Sequence, residues 1–251
     1  DLHSFPTRRS SDLEIIWNLR PLRHCSQLVA LTKGDADNWR RYCKNVIVIP
    51  NPVTHIPDQI DDVEKIPSRI IAVGRLHAQK GFDLLIEAFS LIASKIPNWY
   101  IDIYGQGIDR DLLRDLIDKK GLIGRVNLKG VSNSIYDEYK KSQFLVLSSR
   151  YEGFGLVLIE AMSCGIPCAA FRCEYGPEDI ISDGSDGLLI KDGDIKELAR
   201  KILWLATHSQ DCAKMGSEAR KKALLFNMDA IMKRWIELFN AQYYHHYPHN
   251  D

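Results

Sequence analysis

The 251 residues provide enough chain for one or two domains with a sizeable core. Lys plus Arg (33) balance Asp plus Glu (33), so no global field recruits nucleic acid or an anionic membrane. Hydrophobic content of 45% suits a soluble globular protein, and no apolar run nears the roughly 18 residues that span a bilayer.

Residues 1–13 show no periodicity and lack the apolar region of a signal peptide, so they read as a disordered leader foreign to the natural chain. From 14 to 49 the pattern suggests a short helix around Ile15, Ile16, Trp17 and Leu19. A strand over 27–31, a polar helix over 35–42 and a second strand over 46–49 follow. Two strands and two helices cannot bury a core of their own. Residues 14–53 therefore read as the tail of a larger domain plus the start of a linker. The Pro- and Asp-rich stretch 54–68 reads as the linker itself.

Residues 69–227 have a different rhythm. Short apolar runs at 70–74, 100–104, 126–128, 144–148, 167–171 and 187–190 alternate with helical patterns at 84–96, 112–120, 135–141, 155–164 and 177–182. In the first of these helices Leu85, Ala88, Phe89 and Ile92 point inward. This alternation predicts an α/β fold, a doubly wound Rossmann-like parallel sheet with ligands at the carboxyl ends of its strands. Helices follow over 195–207, with Leu198, Ala199, Ile202 and Leu205 inward, and over 212–226. Residues 228–251 form a last helix and tail. Ile231, Trp235, Leu238 and Phe239 read as a core-facing stripe, and the Tyr- and His-rich end as disordered rather than metal-binding.

Chemistry concentrates in Arg150-Tyr151-Glu152-Gly153-Phe154-Gly155-Leu156-Val157-Leu158-Ile159-Glu160-Ala161-Met162. The stretch follows a buried strand and opens a helix that should end at Cys164-Gly165, with Pro167 beyond it. Two glycines let a ligand approach the backbone closely. The free N–H groups of Gly155, Leu156 and Val157 then attract an anion such as phosphate. Glu152 lies at the mouth of the turn and Glu160 about two helical turns later, so the two acids can meet different parts of one elongated polar ligand. Either alone would read as a surface acid.

A second candidate, Gly74-Arg75-Leu76-His77-Ala78-Gln79-Lys80-Gly81, ends the first strand of this region. Gly74 permits close approach, the Arg75 fork suits phosphate oxygens and Lys80 adds a point charge. Elsewhere such a loop would be a solvated basic turn, but here both cations can converge with the helix start at Gly155 on one diphosphate. Tyr104-Gly105-Gln106-Gly107 permits a nucleoside to approach or is a plain tight turn. The acidic turns 174–178 and 183–187 are expected at the pocket rim. A dinucleotide site is disfavoured because Gly-Arg-Leu-His-Ala-Gln follows the first strand where Gly-x-Gly-x-x-Gly is wanted. The six cysteines are scattered, and Cys164 and Cys168 lack zinc-knuckle spacing. They read as reduced structural thiols of a cytosolic protein, with no metal site.

Glu152-x7-Glu160 in its Ser-x-Tyr-Glu-Gly-Phe-Gly-Leu-Val-x-x-Glu-Ala-Met setting resembles the signature of retaining glycosyltransferases of the GT-B fold, family 4. Gly-Arg-Leu-x-x-x-Lys-Gly at 74–81 and Ile-Pro-Asn-Pro-Val at 49–53 resemble that family's pattern too, and the likeness covers about 27–239. It implies the C-terminal, donor-binding half of the fold, with 14–53 a remnant of the acceptor-binding domain. Glu152 would meet donor-sugar hydroxyls and Glu160 the ribose, while backbone at Phe154, Gly155, Leu156 and Val157 holds sugar and diphosphate. Arg75 and Lys80 would grip the diphosphate, and Val131 with its backbone would meet the base. The resemblance implies a nucleotide-diphosphate sugar donor without a metal cofactor, a glycan or lipid-linked acceptor and peripheral membrane contact through the absent domain. It also implies that the last helix crosses to that domain, leaving an apolar face partly exposed. A non-catalytic nucleotide-sugar binding module and a GT-B epimerase remain alternatives.

Overall fold

The computed structural model describes residues 25–57 and 65–246, the last three by backbone alone. The expected leader, the helix near Ile15, residues 58–64 of the linker and residues 247–251 lie outside the described residues; the first part of the Tyr- and His-rich end, expected to be disordered, is helical as far as His246. The chain divides into two compact units, up to Pro50 and from Asn51 onward.

The first unit holds β1 (Leu28–Ala30), α1 (Lys33–Trp39) and β2 (Val46–Val48), with the strands parallel and Leu28 opposite Val46. Thr32 caps the helix, its Oγ1 accepting the Asp35 N–H at 3.1 Å. Ala30, Ala36, Cys43 and Val46 form its small buried core, with Leu28, Trp39 and Val48 packed against them.

In the second unit β3 (Arg69–Val73), β4 (Tyr100–Tyr104), β5 (Val126–Gly130), β6 (Phe144–Leu147), β7 (Cys168–Phe171) and β8 (Gly187–Ile190) form one parallel sheet in the order β5-β4-β3-β6-β7-β8. The helices are α2 (Phe82–Ser90), α3 (Arg110–Lys119), α4 (Ile135–Lys140), α5 (Leu156–Ser163), α6 (Pro177–Ile180), α7 (Ile195–Thr207), α8 (Ser209–Ala223) and α9 (Met228–His246). Strand order reverses between β3 and β6, where Ile70 pairs with Phe144. The connections from these two strands run to opposite sides of the sheet, the switch point at whose carboxyl edge doubly wound sheets bind ligands.

The apolar runs are strands because both their faces are covered. Phe144, Leu145, Val146 and Leu147 are all buried, each contributing about 1.5–3 kcal/mol relative to exposure. Ile70, Ala72, Ile101 and Ile103 pack with Leu85 and Phe89 of α2, Leu113 of α3 and Leu198 and Ile202 of α7. On the opposite face, α4 reaches the sheet through Glu138 and Arg69, and α5 packs beside α4 and along α8.

Two expectations change. The helix expected over 84–96 is regular only to Ser90, although Ile92 and Ile96 are still buried. Ser90 Oγ donates to the Glu87 carbonyl at 2.7 Å, and the chain continues in tighter turns. Arg125, distant in sequence, fastens these later turns, donating to the Trp99 carbonyl at 2.6 Å and the Ile96 carbonyl at 2.9 Å. The core-facing stripe of α9 holds only in part. Ile231 is buried and Trp235 and Leu238 are half-buried, but Phe239 is 60% exposed, and Met228, Met232 and Ile236 are exposed as well. The helix thus keeps an apolar face that is partly exposed.

Candidate functional site

At the carboxyl edge, the loop after β3 and the turn after β6 are stitched together. The Arg150 N–H donates to the Gln79 carbonyl at 2.8 Å, and Gln79 Nε2 returns to the Tyr151 carbonyl at 3.1 Å. Ser148 Oγ donates to the Lys80 carbonyl at 3.0 Å. The Arg150 guanidinium forks onto Asp83 at 2.8 and 2.6 Å and reaches the Ala78 carbonyl at 2.7 Å. Held this way, Lys80 Nζ lies 2.6 Å from Glu152 Oε1, and Ser149 Oγ donates to the same oxygen at 2.6 Å. The Lys80 side chain is 15% exposed and that of Glu152 7%. The Lys80 stem runs past Gly74, where a Cβ would come within 3.1 Å of it. Arg75 sits on the same loop, exposed, its guanidinium without a partner among the described residues.

Three residues after Glu152 the chain enters α5 through Gly155, at φ 93°, and no side chain caps the helix. The first N–H groups of α5, from Leu156 and Val157, thus form a helix start suited to an anion. Phe154 is buried, its ring 6.0 Å from that of Phe226. Its carbonyl lies against Gly176, where a Cβ would stand 2.0 Å away, so the 174–178 turn packs beside the helix start as expected for a rim. Glu160 is half-buried, and its Oε2 accepts from the Tyr139 hydroxyl at 2.9 Å. Burial pushes the Glu160 carboxyl above its ordinary pKa, with the Tyr139 bond opposing.

The remaining sequence candidates separate. Gly105 ends β4 at φ 140°, and a Cβ there would stand 1.8 Å from the Gly74 carbonyl. This glycine lets the loops after β3 and β4 pack. Val131 stands exposed past β5, two strands from β3. The 183–187 turn is not on the rim. Gly187 pairs with Cys168, the first residue of β7, so the turn runs up to the amino edge of the sheet. Its buried Asp186 accepts the Ser182 N–H at 2.7 Å and pairs with Lys222 at 3.3 Å, a structural use of the acid. The six cysteines are free, and burial pushes the Cys164 thiol up to about 11. Among the described residues no group of His, Cys, Asp or Glu is placed to hold a metal ion. No helix among them is long and apolar enough to cross a membrane.

Ser149, Arg150, Asp83 and Tyr139 were given no role from the sequence, although the first two lie in the central motif, yet all hold candidate groups in place. Ser149 could have been found from its spacing, three residues before Glu152 in one tight turn. The other three act across elements and leave no local pattern.

Strand order, the crevice at its switch point and the paired charges beside an uncapped helix define a doubly wound α/β domain with an anion-ready site. Residues 58–222 match the family described as Glycosyl transferases group 1, and the chain belongs to that family. An uncharacterized glycosyltransferase of Haemophilus influenzae is 29% identical over 214 residues, 84% of this chain and 60% of that protein. The poly(ribitol-phosphate) alpha-N-acetylglucosaminyltransferase of Staphylococcus aureus is 34% identical over 221 residues, 88% of this chain and 43% of that protein. The crystal structure of S. aureus TarM with fondaparinux, alpha-GlcNAc-glycerol and UDP superimposes with a TM-score of 0.82 at 28% identity, over 95% of this chain and 48% of that one. The fold is thus that of GT-B glycosyltransferases, and the chain spans about half the length of these relatives.

Proposed function

We propose that the second unit is the donor-binding half of a retaining glycosyltransferase of family 4, and that its crevice takes a nucleotide-diphosphate sugar. The observation that carries this is the Lys80–Glu152 pair, 2.6 Å apart, beside the uncapped start of α5 at the switch point of the sheet. Lys80, Arg75 and the N–H groups of Gly155, Leu156 and Val157 meet the diphosphate and stabilise its charge as the glycosidic bond breaks. Glu152 orients the sugar, with backbone at Phe154 beside it, and Glu160 takes the ribose. Gly74, Gly105 and Val131 line the nucleoside end. Two cations and a helix start meet a diphosphate without a divalent ion, so the reaction is metal-independent.

The S. aureus structure holding UDP supports uridine as the base. The acceptor is a cell-surface polymer of the poly(ribitol phosphate) kind or a lipid-linked glycan, in line with the S. aureus relative's name. That name also specifies an alpha linkage, and transfer from an α-configured donor to an α-linked product is retention. The first unit is a part of the acceptor-binding domain, and the enzyme works in the cytoplasm at the inner face of the membrane.

The test is release of UDP from UDP-N-acetylglucosamine, with and without a polyol-phosphate acceptor. Release that depends on acceptor supports the transferase. Donor binding without release identifies a nucleotide-sugar binding module. Sugar freed without any acceptor would indicate the epimerase class.

A further inference from the structure

Four neighbours of Glu160 on α5, namely Leu158, Ile159, Ala161 and Met162, are fully buried and apolar. A carboxylate among them is costly unless its oxygens are occupied. One is: Oε2 accepts from Tyr139 at 2.9 Å. For Oε1 there is no hydrogen-bond partner among the described residues. Tyr139 is itself wholly buried on α4, so its hydroxyl has Glu160 instead of water. Its ring meets Tyr136 edge-on at 6.0 Å, and Tyr136 in turn meets the His55 ring edge-on at 4.9 Å. A Phe would fill the same ring space, so the hydroxyl is there for the carboxylate.

We infer that Tyr139 is a positioning residue for the nucleoside: it pins one oxygen of Glu160 from behind and leaves the other for the vicinal diol of a ribose. The inference rests on the donor-site reading and extends it to the group that sets Glu160 in place. Pinning fixes the carboxylate rotamer before ligand arrives, so less side-chain freedom is lost on binding. It also favours the charged, accepting form of Glu160 against the burial that opposes it. The groups acting on Glu160 are Tyr139 and Tyr136 from α4 and Cys164 just past the end of α5. From α8, Arg220 donates instead to the Ser163 carbonyl at 2.6 Å.

Calorimetry of UDP and of 2′-deoxy-UDP with the 251-residue chain tests this, using wild type, Tyr139→Phe, Glu160→Gln, the double variant and Lys80→Met, from about pH 4 to about 8.5 so that the window starts at the ordinary carboxylate range. Tyr139→Phe should weaken UDP about tenfold near neutrality and narrow the preference for UDP over its deoxy analogue. Without the Tyr139 bond burial acts unopposed, so Glu160 takes up its proton at higher pH, and affinity falls off earlier as pH drops. In the Glu160→Gln background the Phe substitution should cost nothing further, because Tyr139 acts only through that carboxylate. Wild-type affinity and an unmoved acid limb in Tyr139→Phe would overturn the inference, as would additivity in the double variant. If Lys80→Met weakens UDP while Tyr139→Phe does not, only the role of Tyr139 falls. If neither does, the donor-site reading falls with it. Should the Phe variant not fold, 3-fluorotyrosine at 139, a stronger donor of the same shape, should move the acid limb to lower pH, and an unmoved limb would overturn the inference equally.

Discussion

Lys80→Met removes one charge of the central pair while keeping an aliphatic stem over Gly74. With both side chains largely buried and 2.6 Å apart, Glu152 would be left as an unpaired carboxylate. Breaking a fully buried pair costs about 3–5 kcal/mol, but Ser149 still donates to Glu152, which brings the expected loss down to about 2 kcal/mol. For a chain of this size that is a fall in Tm of roughly 4–8 °C. Glu152→Gln should cost a similar amount by stranding Lys80. The double variant, with no charge left to strand, should be more stable than the sum of the singles by about 1.5–3 kcal/mol. UDP affinity should fall by about 1.5–3 kcal/mol in Lys80→Met, the value of a charged hydrogen bond. Urea and thermal melts of all four proteins, alongside UDP calorimetry, provide the readings. Stability losses that simply add would refute the view that Lys80 and Glu152 act as one unit.

Arg150→Ala removes a half-exposed ion pair, so stability should drop by less than about 1 kcal/mol. UDP affinity should still fall several-fold, because Arg150 clasps the Lys80 loop through Ala78 and Asp83; unchanged affinity would contradict that role. Gly105→Ala sets a Cβ 1.8 Å from the Gly74 carbonyl at a φ of 140°, and should cost at least about 2 kcal/mol in urea unfolding. Burial pushes Glu138 up, but the Arg69 guanidinium and Tyr104 hydroxyl outweigh it and hold its carboxyl below the ordinary range. A depressed folded pKa means its stabilisation is present above the unfolded value and lost as pH falls through the folded one. The gap in urea midpoint between wild type and Glu138→Gln should therefore be wide at neutral pH and close in acid.

The β/α alternation was legible because each parallel strand is a short, continuous apolar run separated by turn residues. The site segments were legible because they are local: two glycines and two acids around one helix start, and two cations on one loop. Long-range contacts were not. Arg125, just before β5, holds the carbonyls of the turns that follow α2. Arg69, Asp102, Tyr104 and Glu138 make a buried network, with Arg69 Nε 2.9 Å from Asp102, that strand periodicity hides because each member looks like an isolated polar residue. The 183–187 turn looked like a rim because acidic glycine turns look alike in sequence. Which edge of the sheet it occupies depends on strand register. The stripe of α9 was visible, but periodicity says only that a face is apolar, not which surface covers it.

Backbone amide NMR of the chain titrated with UDP tests the central claim most directly. The account predicts that the largest shifts fall on Gly74 to Gly81 and on Tyr151 to Glu160, led by the Gly155, Leu156 and Val157 amides, and that Lys80→Met strongly reduces them. Shifts centred instead on the groove between α7 and α8, around Arg200, Trp204 and Lys214, or no shifts at millimolar UDP, would contradict it.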